Sequence, residues 1–177
     1  MIVALVLLFL SLNPFTEATE YSDVIVFMLT HYAIFAGGFL LFRNVRLPSL
    51  LLFPSAALLI LWHLPFLFYL SAKFPLYRYT MEVSVFAAGC MGASAAMLQL
   101  RTKAVLLALW LLGDTALAAI FIVMPRPFMM DTAYPLWQFI VLGLIMVLFM
   151  NAVIVIILYV LGQRYLHLDL QTEEGSG

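Results

Sequence analysis

Three ionisable side chains stand inside long apolar stretches of this 177-residue chain. They are His31, His63 and Glu82. Imidazole and carboxylate groups can ligate metal ions, hold a haem iron or carry protons. Ionisable groups are costly at membrane depth, so a residue found there is a functional candidate by default. His63 is followed closely by Pro65, whose ring should loosen the backbone just beyond the imidazole.

The composition of the chain predicts an integral membrane protein. Hydrophobic residues make up 66% of it and charged residues 10%, and the mean hydropathy is +1.14. Soluble globular domains carry about 25% charged residues. The expected surroundings are therefore a lipid bilayer, while a net charge of −1 without a basic cluster argues against nucleic acid. The single cysteine, Cys90, excludes an internal disulfide and is interpreted as a small packing residue.

Apolar runs of about 20 residues are long enough to span a membrane as helices. Six such runs are separated by charges or prolines: 1–15, 22–43, 48–70, 75–100, 103–125 and 134–162. We therefore predict an all-α, polytopic membrane helix bundle of about six transmembrane helices. A single domain should cover residues 1–164, followed by a polar tail over 165–177. If the first run were a cleaved signal peptide, five helices would remain, but it has no basic segment before it, which favours a retained helix.

Basic residues in short loops predict the orientation. With the N-terminus in the cytoplasm, the inner side would carry Arg43, Arg46, Arg101, Lys103 and Arg164. The outer side would carry Lys73, Arg78 and Arg126. The excess on the first side predicts a multi-pass cell-membrane protein with both termini in the cytoplasm.

The polar residues of different helices fall at similar depths on this topology. At 1.5 Å per residue, His31 lies roughly 13 Å below the outer boundary, and His63 and Glu82 roughly 10 Å below it. Asp114 lies nearer the midplane, at roughly 16 Å, and Gln138 lies near the outer end of the last helix. The sequence therefore predicts a layer of polar groups in the outer leaflet.

Each of these residues also has a purely structural interpretation. His31 and His63 could form hydrogen bonds across helix interfaces. Glu82 could be a protonated acid, or could pair with Arg78 one turn earlier. Asp114 could be an interhelical hydrogen-bond partner.

Methionine adds a soft donor near one of the histidines. Met28 precedes His31 by three residues and therefore shares its helix face. Met81 adjoins Glu82, and Met146 lies in the last apolar run. Thioether and imidazole groups together favour Cu(I) over harder ions.

Several short motifs, in order and spacing, resemble the CtaG-type cytochrome c oxidase assembly factors. The resemblance covers about residues 10–160. The motifs are Asn13-Pro14-Phe15, Phe27-Met28-Leu29-Thr30-His31, Trp62-His63-Leu64-Pro65, Met81-Glu82, Pro125-Arg126-Pro127, and Gln138 followed by Gly143-Leu144-Ile145-Met146. In its small size the chain is also similar to an archaeal membrane family of unknown function that looks like a minimal CtaG relative.

The resemblance implies a membrane-embedded factor that handles copper for a haem-copper respiratory oxidase at the outer face. It implies His31, His63 and Met28 as metal ligands. We assign supporting roles around these ligands to Glu82, Asp114, Gln138 and Met146. The chain departs from the family pattern at Phe27, Val83 and Gln138, which stand where the family has histidine, histidine and aspartate.

Other functions remain open at the level of sequence. A b-type cytochrome could hold haem b between His31 and His63, with room made by Gly37, Gly38 and Gly89. A structural subunit of a respiratory complex would use the histidines only as hydrogen-bonding groups, and a proton-linked transporter would depend on Glu82 and Asp114. No arrangement typical of an enzyme is found, so catalysis is not expected, and the oligomeric state is not predicted.

Overall fold

A computed structural model describes residues 1–129, 132 and 134–174, and beyond Ile156 it describes the side chain of Tyr159 alone. Within these residues all regular structure is helical. The α-helices are α1 (Ile2–Ser11), α2 (Pro14–Glu20), α3 (Val24–Phe42), α4 (Leu52–Trp62), α5 (Pro65–Lys73), α6 (Pro75–Gly92), α7 (Leu100–Val123), α8 (Arg126–Met129) and α9 (Leu136–Glu174). Short 3₁₀ turns at Ser49–Leu51 and Ala93–Met97 precede α4 and follow α6.

The predicted all-α membrane bundle is confirmed by helix length and apolarity. Among the described residues, four segments are long and apolar enough to cross a bilayer: Val24–Phe42, Pro75–Met97, Leu100–Val123 and Leu136–Ile156. The number rises to six if each of two bent helix pairs is one span. These pairs are α1 with α2, bent by 54°, and the Ser49–Trp62 segment with α5, bent by 72°.

The prediction of one continuous helix over 48–70 is wrong, because the chain breaks between α4 and α5 at His63 and Leu64. Pro65 has no N–H to donate and cannot continue the preceding helix, but it suits the first position of a new one. The backbone N–H of His63 instead donates to Ile60 O at 3.1 Å, which closes the last turn of α4. The loosening expected from Pro65 is thus confirmed as a complete break.

The break between α1 and α2 also occurs at a proline, and the helix that follows it has a side-chain cap. Asn13 Oδ1 accepts hydrogen bonds from the backbone N–H groups of Phe15 and Thr16, at 3.1 and 3.0 Å. Pro14 occupies the first position of α2. An asparagine cap followed by proline is a strong signal for a helix start, so the run 1–15 ends where a second short helix begins.

Helices α3 and α6 form the centre of the bundle and approach each other closely at two glycines. A Cβ atom on Gly38 would lie 2.5 Å from the carbonyl oxygen of Phe86, and one on Gly89 would overlap the carbonyl oxygen of Phe35. Small residues allow helix backbones in membranes to come this near. Helices α1, α4 and α5 pack around this pair, while α7 packs chiefly on α9.

The last helix continues past the predicted limit of the sixth span. α9 extends from Leu136 to Glu174, whereas the sequence predicted a span over 134–162 and a separate tail from residue 165. The backbone of residues 165–174 is therefore helical. Residues 175–177 of the predicted tail lie outside the described part of the chain.

Candidate functional site

A buried imidazole faces a buried thioether between α3 and α6. His31 Nε2 lies 2.6 Å from Met81 Sδ, and these residues are 8% and 1% exposed. His31 Nδ1 donates to the carbonyl oxygen of Phe27, one turn earlier on α3. The Phe27 ring packs edge-on against the imidazole, with 4.4 Å between ring centroids. The backbone hydrogen bond and the Phe27 ring together fix the orientation of His31, with the Nε2 lone pair directed at the thioether.

The spacing of the two donor atoms can be compared with what a metal ion needs. Typical metal–nitrogen and metal–sulfur bonds of about 2.0 and 2.3 Å at a tetrahedral angle place the two donors roughly 3.5 Å apart. The observed 2.6 Å is shorter, so the Met81 sulfur would have to withdraw by about one ångström. Methionine has three rotatable bonds and adapts readily to such shifts.

His63 shares the local geometry of His31 but is only half-buried. Its Nδ1–H donates to Leu59 O at 2.6 Å, one turn earlier on α4. In both histidines the carbonyl bond occupies Nδ1 and leaves the Nε2 lone pair for a ligand, which is the usual arrangement of metal-binding histidines. His63 is also near enough to interact electrostatically with His31 and with Asp114.

A hydrogen-bond chain links the segment around His63 to Met81. Trp62, which is 7% exposed, donates its indole N–H to Ser84 Oγ at 2.6 Å. Ser84 in turn donates to the carbonyl oxygen of Met81 at 2.8 Å. The end of α4 is therefore tied to the turn of α6 that carries the thioether.

The soft donor paired with His31 differs from the one expected from sequence. The sequence favoured Met28, which is buried at 2% exposure one turn before His31, but the sulfur beside Nε2 belongs to Met81. Met146 is also buried in the core, at 2% exposure. Spacing along one helix could suggest Met28, whereas the Met81 contact joins residues 50 positions apart. Among the described residues, no group of three or more His, Cys, Asp or Glu side chains could hold a metal ion.

Asp114 and Glu82 occupy two different surroundings. Asp114 Oδ2 accepts a hydrogen bond from Tyr32 at 3.0 Å, which joins α7 to α3 and agrees with the interhelical role considered for it. Glu82 is half-buried and interacts electrostatically with Glu20, Glu17 and Arg78. The polar residues that the sequence predicted to share one layer therefore fall into separate groups. Glu82 belongs with the charged residues at one end of the bundle.

Gln138 supports the start of α3. Its Oε1 accepts from the backbone N–H of Val24 at 3.0 Å, and its Nε2 donates to Ser22 O at 3.1 Å. The first turn of a helix has backbone N–H groups without intrahelical partners. Gln138 therefore holds α9 against the α2–α3 turn and lies apart from the His31–Met81 contact.

The most buried charge in the described structure is Arg78, at 0% exposure. Its Nη1 donates to Glu20 Oε2 at 3.2 Å, and Glu20 is itself 1% exposed. Arg78 Nε donates to Ser71 O at 3.1 Å, and Nη2 donates to Ala72 O at 3.2 Å. Sequence reasoning counted Arg78 among the outer basic residues and considered Glu82 as its partner, but the observed ion pair joins it to Glu20.

Tyrosine and phenylalanine complete the surroundings of this guanidinium. Arg78 Cζ lies 3.8 Å from the ring centroid of Tyr21 and 4.9 Å from that of Phe27. Tyr134 OH lies 3.5 Å from Nη2 and donates to the backbone carbonyl of Glu20 at 2.5 Å. Burial raises the pKa of Tyr134, so its hydroxyl remains protonated and able to donate at neutral pH. The cluster joins α2, α3, α5, α6 and the segment before α9.

Comparison with known families assigns the chain to a family whose function is unknown. A family model described as "Protein of unknown function (DUF1404)" matches residues 2–163, so the chain belongs to that family. No curated protein and no solved structure matches it.

Proposed function

We propose that this DUF1404 family member is a membrane-embedded copper-handling protein that serves the assembly of a haem-copper respiratory oxidase. The observation that supports it most directly is the buried imidazole–thioether pair, His31 Nε2 and Met81 Sδ, on the two central helices. The likeness to CtaG-type assembly factors supplies the oxidase as the recipient. Copper is then cargo, bound and released, and no covalent chemistry is required.

The donor set fits Cu(I) better than harder cations. Imidazole and thioether ligands suit Cu(I), whereas Mg²⁺ and Ca²⁺ need several oxygen ligands. His31 would supply nitrogen and Met81 sulfur. His63, half-buried at the α4–α5 break with its Nδ1 already bonded, is the accessible nitrogen donor from which the ion would reach them.

We place the end of the bundle that carries Arg78 at the outer face of the cell membrane, with both termini in the cytoplasm. Removing buried Arg78 from the loop count leaves Lys73 and Arg126 on the outer side. On the inner side, Arg43, Arg46, Arg101 and Lys103 remain. Arg164 is not counted here, because its side chain lies outside the described residues. The remaining excess of basic residues on the inner side supports the positive-inside assignment.

A haem b site between His31 and His63 fits the structure less well. The glycines expected to make room for haem are occupied by neighbouring atoms: Gly38 and Gly89 by backbone, and Gly37 by the side chain of Leu8. A porphyrin at His31 would also displace Met81 from the packed core. Haem binding is therefore the alternative result that the copper-binding experiment must distinguish.

The direct test is Cu(I) titration of the purified protein in detergent under reducing conditions, with a competing chelator to measure affinity. We expect one tightly bound Cu(I), with His31→Ala and Met81→Leu each weakening it at least tenfold and His63→Ala slowing its loading. Met97→Leu is the matched control, because Met97 is 54% exposed and far along the chain from the donors. X-ray absorption should show both nitrogen and sulfur neighbours.

The outcomes separate the competing functions. Wild-type Cu(I) binding in both His31→Ala and Met81→Leu would exclude the site. A Soret band that persists through purification and disappears in His31→Ala and His63→Ala would indicate a b-type cytochrome instead. A protein that binds neither copper nor haem but purifies with oxidase subunits would indicate a structural subunit.

The assembly role needs a test in the source cell. Deletion of the gene should lower the copper content of the haem-copper oxidase, and wild-type protein but not Met81→Leu should restore it. Full restoration by Met81→Leu would contradict the role of the thioether in delivery.

A further inference from the structure

We propose that Arg78 and Glu20 are a positioning pair that sets the separation of His31 and Met81, and thereby the affinity and sulfur coordination of bound Cu(I). The inference rests on the proposed function, since it concerns the same site. It assigns a specific role to a buried ion pair that has no direct contact with the donor atoms.

Hydrogen bonds hold the planar guanidinium of Arg78 in place, and they thereby fix one turn of α6. Three of its nitrogens have separate partners: Glu20 Oε2 at 3.2 Å, Ser71 O at 3.1 Å and Ala72 O at 3.2 Å. The partners come from α2 and from the end of α5. A guanidinium presents its donors in a rigid geometry that lysine cannot reproduce, so rotation or sliding of α6 at this turn would break several of these bonds.

Met81 lies directly after that fixed turn. It follows Arg78 by three residues and projects from the same face of α6. A slip of α6 by one residue would move the thioether by 1.5 Å along the helix axis. Movement of this turn would therefore change the distance between His31 Nε2 and Met81 Sδ, which is 2.6 Å in this structure.

The same guanidinium also contacts the residue that orients His31. Arg78 Cζ lies 4.9 Å from the Phe27 ring centroid, and Phe27 supplies both the carbonyl that holds His31 Nδ1 and the ring that packs against the imidazole. Arg78 thus acts on both donors, on Met81 through its own helix and on His31 through Phe27.

Glu20 contributes by holding Arg78 in place. Its Oε2 accepts from Arg78 Nη1 at 3.2 Å, and both side chains are almost fully buried. Removing one member of a buried ion pair leaves the other without its partner, which is strongly destabilising. Loss of the Glu20 carboxylate should therefore loosen the fixed turn of α6 and weaken copper binding.

The test compares Arg78→Lys and Glu20→Gln with wild type in the full-length protein, measuring Cu(I) affinity and the copper–sulfur signal by X-ray absorption. Removing partners that orient metal ligands typically costs 10- to 100-fold in affinity. We expect a loss in that range for both variants, and for Arg78→Lys also a weakened copper–sulfur signal. The matched control is Arg126→Lys on α8, because Arg126 is exposed and should leave both measurements unchanged.

A double variant, Arg78→Met with Glu20→Met, keeps the test decisive if a single change prevents folding. Replacing both members of a buried ion pair by apolar residues is often tolerated. We expect the double variant to fold and to bind Cu(I) with reduced sulfur coordination. Wild-type affinity and sulfur coordination in folded Arg78→Lys, or in the double variant, would overturn the inference while leaving the copper site intact. Wild-type protein that binds no Cu(I) would instead overturn the proposed function, and this inference with it.

Discussion

The substitution Gly38→Ala tests whether the α3–α6 contact at the centre of the bundle depends on the absence of a side chain. The added Cβ would lie 2.5 Å from Phe86 O and 3.1 Å from Cys90 N. Both are backbone atoms of α6, so neither can turn aside as a side chain could. Ordinary contact begins near 3.4 Å, so the two helices must separate by roughly one ångström.

The expected loss in the free energy of unfolding follows from a comparison of two glycines that both lie within helices. Overpacking of a tight contact costs about 1–3 kcal/mol, while replacing a helical glycine by alanine returns up to about 1 kcal/mol of helix propensity. The propensity gain is shared by Gly113→Ala on α7, where a Cβ would meet nothing within 4 Å. The difference between the two variants therefore isolates the packing cost, and we expect about 1–3 kcal/mol.

The assay is reversible unfolding in mixed micelles, followed by tryptophan fluorescence, for Gly38→Ala, Gly89→Ala, Gly37→Ala and Gly113→Ala. Gly113→Ala should equal or exceed wild type in stability. Gly37→Ala should fall between the extremes, because its Cβ would meet the flexible side chain of Leu8. Gly38→Ala and Gly89→Ala should be the least stable.

The reasoning is refuted if Gly38→Ala and Gly113→Ala have the same unfolding free energy, since a Cβ would meet backbone at the first position and open space at the second. The proposed copper site offers a second readout. Separation of α3 from α6 should widen the gap between His31 and Met81, so Gly38→Ala should change Cu(I) affinity, whereas Gly113→Ala should not.

Three further substitutions test hydrogen bonds between helices, and all can be followed by thermal unfolding in detergent. Trp62→Phe removes the indole donor to Ser84 and should cost about 1 kcal/mol, with no loss expected if that bond is absent. Gln138→Leu leaves the first backbone N–H of α3 without its acceptor and should cost about 1–3 kcal/mol, more than the isosteric Gln138→Glu. Asp114→Asn keeps an acceptor for Tyr32 and should cost less than Asp114→Leu; equal losses would contradict the observed bond.

Composition and the length of the apolar runs were sufficient to predict the all-α membrane bundle. Charged and proline-containing breaks also located most helix ends to within a few residues. They did not show that the third run is two helices, although Pro65 carried that signal, because a proline in an apolar run can either kink or end a helix. The continuation of α9 to Glu174 was not predicted, because the residues after Arg164 were described only as a polar tail.

Contacts of the candidate site that join distant helices were not predicted, because such pairings have no local pattern. Sequence spacing favoured Met28 as the thioether near His31, whereas the thioether beside it belongs to Met81 on α6. The Arg78–Glu20 pair was missed for the same reason, since its members are 58 residues apart and each is near a helix end, where charged residues are ordinary. Whether a residue near a helix end faces water or the core depends on tertiary packing, which composition does not encode.

The hydrogen bond from Tyr134 to the backbone of Glu20 also has a consequence for biogenesis. It joins residues 114 positions apart, and the Gln138 bond to Ser22 spans 116. At translation rates of 5–20 residues per second, roughly 6–23 s pass between synthesis of the acceptor and arrival of its donor. During that interval the turn between α2 and α3 must rely on water, lipid headgroups or the insertion machinery. The hydrogen bonds of the turn between α2 and α3 are therefore completed only after α9 and the segment before it have been synthesised.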